Sequence, residues 1–131
     1  MAITKRMTLS LLICNILFIL GETIFFRKKN STRIYHFQLF WSYEKWDYYG
    51  PQIIANVVLF IPLGFLLGKL IGWIGIVAAI GISVVIELIQ LLTLRGVFEF
   101  DDIIHNTAGA LIGMLCWMFI RRLSNDRGEE S

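Results

Sequence analysis

From residue 7 to residue 120 the chain alternates long apolar stretches with short polar breaks, and the apolar stretches share one length. A helix needs roughly 20 residues to cross about 30 Å of hydrocarbon, and only a helix satisfies its own backbone hydrogen bonds there. Four segments meet that requirement: 7–26, 52–71, 73–94 and 103–120. The pattern predicts an all-α membrane protein, a compact bundle of four transmembrane helices forming one domain over residues 1–131. The second and third spans are separated only by the Gly68-to-Trp73 stretch, which implies a tight hairpin. The third and fourth are joined by the short acidic run from Arg95 to Asp102. The one long connection, residues 27–51, opens with Arg27, Lys28 and Lys29 and then turns aromatic: Tyr35, Phe37, Phe40, Trp41, Tyr43, Trp46, Tyr48 and Tyr49. Amphipathic rings favour the headgroup level, so this loop is expected along the bilayer surface, as an anchoring belt or as a lid over a ligand. The polar tail, residues 121–131, is expected to fray.

The polar residues inside the apolar spans carry more information than the spans do, because hydrocarbon excludes such groups unless they have partners or a task. Ser83, Glu87 and Gln90 share one face of the third span. Asp102, Asn106, Gly109 and Gly113 make a stripe on the fourth, and Asn56, Phe60, Gly64 and Gly68 a similar one on the second. With alternating chain direction and a rise of about 1.5 Å per residue, Glu22, Asn56, Glu87 and Asn106 all fall roughly 5–10 Å below one membrane face. Gly64 with Gly68 and Gly109 with Gly113 are small-x-x-x-small pairs that let helix backbones approach closely. Packed on them, the second and fourth spans would bring Asn56 and Asn106 near Glu87. Pro62 cannot donate to the carbonyl of Val58, so a bend is expected in the second span. Glu22/Asn56 and Glu87/Asn106 also occupy corresponding places in the two hairpins, as a parallel internal repeat would arrange them.

Composition agrees with the membrane reading: 56% hydrophobic residues and a mean hydropathy of +0.68 leave too little polar surface for a soluble domain of this size. Lys5 and Arg6 flank the first span as in a secretory signal. No small-x-small site follows, so a retained span is expected. Cys14 and Cys116 lie in apolar interiors, where a thiol behaves as a small hydrophobe, and two such cysteines make neither a disulfide framework nor a metal site. A net charge of +2 gives no argument for nucleic acid. Lys and Arg divide evenly between the two membrane sides, so the positive-inside rule leaves the orientation open.

Each polar residue has a structural reading beside the functional one. Glu87 can serve as a site residue or as a buried carboxyl hydrogen-bonded to Gln90 or Asn106. Arg95 is expected at the interface, within reach of Asp101, Asp102 or Glu87, as an ion pair or an anion contact. Asp101 with His105, and Asp102 with Asn106, stand one helical turn apart. Without a third carboxylate on the same helix such pairs make a poor metal site, and no metal or cofactor is expected.

The order Asn56-x-x-x-Phe60-x-Pro62-x-Gly64, then Glu87-x-x-Gln90, then Arg95 with Asp101-Asp102-Ile103-x-x-Asn106-x-x-Gly109, resembles the VanZ-like family of bacterial membrane proteins over about residues 56–113. The resemblance implies a small multi-span protein of the bacterial cell envelope with both termini in the cytoplasm, which places the polar residues toward the outer leaflet. The founding member is associated with low-level resistance to teicoplanin, a lipid-bearing glycopeptide, without alteration of the peptidoglycan precursor target. On this basis Asn56, Glu87, Gln90, Arg95, Asp101, Asp102 and Asn106 are expected to bind an amphiphile, a lipid headgroup or a lipoglycopeptide, with Pro62, Gly64, Gly68, Gly109 and Gly113 shaping the bundle. Two alternatives stay open: a membrane-embedded enzyme on a lipid-linked substrate, with Glu87 and Asp102 as proton donor and acceptor, and a helix-packing partner of other membrane proteins.

Overall fold

The computed structural model describes residues 4–129 and is an all-α bundle. Its four principal helices, each long and apolar enough to cross a membrane, are α1 (Lys5–Leu20), α2 (Trp46–Ile71), α3 (Ile74–Thr93) and α4 (Phe100–Glu129). Thr4 begins α1 by accepting from the Met7 backbone N–H, which satisfies one of the donors that a helix start leaves open. A π-helical stretch, Gly21–Phe25, carries α1 onward. A 3-10 turn, Trp41–Lys45, leads into α2.

The centre of the bundle is the seam between α2 and α4. A Cβ at Gly64 would collide with the Ala110 carbonyl, one at Gly109 with the Val57 carbonyl, and one at Gly113 with the Ile61 carbonyl. Only glycine lets the two backbones touch in this way. Gly68 takes the same stripe onto the Met114 side chain and beside Trp117. Phe60, Leu63, Leu67 and Ala110 fill the seam, with Ile19 from α1 and Ala79 and Ile86 from α3 closing the core. Outward-facing Leu17, Phe18, Val77, Leu92 and Phe119 are exposed, as side chains in contact with lipid would be. Both cysteines lie on exposed surface and are free.

Several boundaries differ from the sequence expectation. α2 starts at Trp46 and runs through Pro51, because the Trp46 indole packs over Gly50 and stacks on Tyr43, which helps hold the early turns. It also carries Pro62 as one unbroken helix. α4 starts at Phe100 and continues through the polar residues expected to fray, as far as Glu129; Arg121, Arg122 and Leu123 are good helix formers. Glu130 and Ser131 lie outside the described residues.

The long loop does more than lie on a surface. Its strand β1 (Tyr35–His36) pairs in parallel with β2 (Phe98–Glu99) of the α3–α4 connection, Tyr35 opposite Phe98 and His36 opposite Glu99. The Asn30 backbone N–H donates to the Leu94 carbonyl at 2.6 Å, its side-chain Nδ2 to the Gly96 carbonyl at 2.8 Å, and the Phe98 N–H to the Ile34 carbonyl at 3.0 Å. The loop is thereby strapped across one end of the bundle, while Tyr35, Phe37, Phe40 and Tyr48 keep more than half their surface exposed.

Candidate functional site

Under this strap the ends of α1 and α3 meet the starts of α2 and α4, and the buried polar residues collect there. The sequence explains why. Asp101 and Asp102 occupy the first turn of α4, where the helix dipole favours acids. Glu87 and Gln90 project from one face of α3, and Gln52 and Asn56 from one face of α2, each pair separated by a single turn.

The roof is built on Asp101. Its Oδ1 accepts the Phe40 backbone N–H at 2.6 Å and its Oδ2 the Ser42 hydroxyl at 3.0 Å. Phe40 has the left-handed φ of 60°, uncommon for a bulky residue, and the carboxylate holds it there. His105 Nε2 meets the Tyr43 hydroxyl at 2.9 Å. Asp101 and His105, one turn apart on α4, therefore each bond the roof.

Below the roof three carboxylates share a confined space. Glu87 is 1% exposed, Asp102 3% and Glu99 5%. Glu87 Oε2 accepts the Glu99 backbone N–H at 3.0 Å, and Asp102 accepts from Gln52 Nε2 at 3.3 and 3.4 Å. Glu87 stands in the fields of both Asp102 and Glu99, and half-buried Arg27 is the cation that offsets them. Burial first, then repulsion from Asp102, pushes the Glu99 carboxyl up to about 8, with Arg27 pulling the other way. Asn56 lies beside Asp102, yet its Nδ2 closes no hydrogen bond of ordinary geometry. Among the described residues no three His, Cys, Asp or Glu side chains are grouped as metal ligands.

A second tier flanks the acids. Asn106 Nδ2 donates to Ser83 Oγ at 2.9 Å and Gln90 Nε2 to the Thr23 carbonyl at 2.8 Å. Asn106 Oδ1, Gln90 Oε1 and His105 Nδ1 are buried without partners. Such orphaned groups are few in folded proteins, and each costs about 1–3 kcal/mol if left dry.

The structure thus brings Asn56, Glu87, Gln90, Asp101, Asp102 and Asn106 to one end of the bundle, and it sets two residues apart. Arg95, expected to reach an acid, instead donates from Nη1 to the Phe25 carbonyl at 3.0 Å. Leu94, the α3 C-cap just before it, takes a left-handed φ of 60°. Glu22 is exposed, so the two Glu/Asn pairs of the hairpins are not equivalently placed. Reading the sequence alone missed Glu99, Arg27 and Gln52. A signal existed for two of them: Gln52 extends the Asn56–Phe60–Gly64 stripe by one turn, and Glu99 lies in a connection too short to leave the bundle mouth.

Comparison with known proteins yields a match to the family model described as VanZ/LLP1, over residues 7–121 of the 131-residue chain. No curated protein and no solved structure matches.

Proposed function

The chain belongs to the VanZ/LLP1 family, and from that membership together with its buried acids we propose a bacterial cell-envelope protein that holds the polar part of an outer-leaflet amphiphile, conferring low-level resistance to teicoplanin and related lipoglycopeptides. The observation that carries this reading is the association of three buried carboxylates with buried amide atoms that lack partners. In a membrane interior, where polar groups are expensive, a ligand bearing hydroxyls or amides lowers the energy of these groups by completing their hydrogen bonds. Glu87 and Asp102 would accept from such groups. Asn56, Gln90 and Asn106 would orient them, and Arg27 would offset the charge of the acids. Both termini would lie in the cytoplasm.

The test is teicoplanin and vancomycin susceptibility of a sensitive Gram-positive host expressing wild type or Glu87→Gln at matched levels. Selective protection against teicoplanin that Glu87→Gln abolishes is the expected result. Protection retained in a Glu87→Gln, Asp102→Asn double variant would overturn the role of the cluster.

A second reading has its own observation. Glu87 on α3 and Asp102 on α4 place two carboxylates from different helices in one buried space, an arrangement that general acid–base chemistry on a lipid-linked substrate can use. Lipid profiles of cells with and without the protein decide it: changed headgroups or undecaprenyl-linked pools favour an enzyme, and unchanged pools exclude it.

A further inference from the structure

Away from the polar cluster, α1 and α3 diverge. They meet mainly where the π-helical stretch following α1 touches the end of α3, and a groove opens between them toward the far membrane side. Two cavities of about 440 and 290 Å³ lie along this groove and share Leu20 and Ile89. The larger cavity has Gly81 in its lining, and the other has Arg95. Gly81 stands apart from the glycines of the α2–α4 seam. A Cβ there would meet nothing within 4 Å, so no backbone contact requires a glycine at this position. A glycine inside an exposed helix is unfavourable relative to alanine. Its effect here is to leave the groove unobstructed at that point.

From Gly81 to Thr93 the groove runs about 18 Å at the rise of a helix, slightly more than half the roughly 30 Å hydrocarbon core. That is the length available to one acyl chain of one leaflet. At its mouth the Arg95 guanidinium is pinned by the Phe25 carbonyl, which leaves further N–H donors of its fork for a ligand. Exposed Lys28 and Lys29 follow shortly after Phe25 in the chain. We propose that the α1–α3 groove binds one acyl chain of an anionic glycerophospholipid whose phosphate is held by Arg95. Charge complementarity at the mouth selects this occupant over a zwitterionic lipid, and the proposal does not rest on any role for the Glu87–Asp102 cluster.

The full chain is incorporated into nanodiscs of equimolar phosphatidylglycerol and phosphatidylcholine, and the lipids retained on release are weighed by native mass spectrometry. Wild type is expected to retain one phosphatidylglycerol in preference to phosphatidylcholine by roughly fivefold, as one basic side chain at the headgroup level provides. Arg95→Gln removes the preference while a lipid is still retained. Gly81→Leu, or Val85→Trp on the groove wall if that variant does not fold, removes the retained lipid of either kind. Arg121→Gln, on the opposite side of the bundle, changes neither. Equal retention of the two lipids by wild type, an undiminished preference in Arg95→Gln, or a dimer that Gly81→Leu dissociates, which would make the occupant a second copy of the chain, would each overturn the proposal.

Discussion

The two ends of the α2–α4 pair are built on opposite principles. Around Gly64, Gly109 and Gly113 the backbones touch and nothing larger than hydrogen fits, each glycine lying against a backbone carbonyl of the facing helix. Nearer the strap, the same helices carry Gln52, Asn56, Asp102 and Asn106, all polar, with Asn56, Asp102 and Asn106 buried and an amide atom of both Asn56 and Asn106 without a partner. The difference separates two jobs. The glycine seam supplies the close packing that holds helices together in lipid, where no hydrophobic drive does so. The polar end can then be organised around something other than stability.

The comparison is broken most severely at the seam. Gly113→Val drives a branched side chain into the Ile61 carbonyl, and a loss on the order of 3 kcal/mol or more follows from such overpacking; thermal unfolding in detergent should show a collapse of the folded fraction. At the polar end Glu87 offers a graded test. Glu87→Ala strands the Glu99 backbone N–H and should lose about 1–3 kcal/mol, whereas Glu87→Gln keeps an acceptor in place and should unfold near the wild-type temperature. If Glu87→Gln is as unstable as Glu87→Ala, the carboxylate's charge is structural and the contrast between the ends weakens.

Smaller effects sharpen the picture of the roof. Asp101→Ala releases Phe40 and Ser42 together. About 1–2 kcal/mol should be lost, and hydrogen exchange should rise in the Trp41–Lys45 turn while the glycine seam stays protected. A pH dependence supplies a further test. The folded Glu99 carboxyl titrates near 8 against an ordinary value of 4.5, so between these values the folded state binds more protons than the unfolded one. Stability is therefore fully expressed below about pH 4.5 and declines as pH rises toward 8. Glu99→Gln should flatten that decline by one proton's worth in melting curves taken across the range; an unchanged slope would assign it to another group.

Much of this was legible in the residues. Four apolar segments of membrane length are visible because hydrocarbon thickness sets their size, and the spacings of Gly64/Gly68 and Gly109/Gly113 already select the two helices that pack most closely. The depth argument gathers Asn56, Glu87 and Asn106 correctly because a helix converts residue number into height. What escaped is what lies outside that ruler. Glu99 and Arg27 sit in connections whose path is set by strand pairing between Tyr35–His36 and Phe98–Glu99, and two-residue strands leave no periodicity to read. Arg95 bonds the Phe25 carbonyl rather than an acid, and no local signal marks the left-handed leucine that precedes it. The helical course of residues 121–129 is not legible because a polar run is equally compatible with a frayed tail and with a continuing helix.

The central claim is that the polar end is a ligand site rather than a folding device, and binding measured beside stability tests it most directly. Teicoplanin is titrated against the full chain in nanodiscs, wild type and Asp102→Asn, with unfolding temperatures recorded on the same samples. The account predicts saturable binding by wild type, weakened roughly tenfold or more in Asp102→Asn, at an unchanged unfolding temperature. Equal binding by both proteins, no saturable binding by wild type, or an affinity loss that merely tracks a loss of folded protein would contradict it.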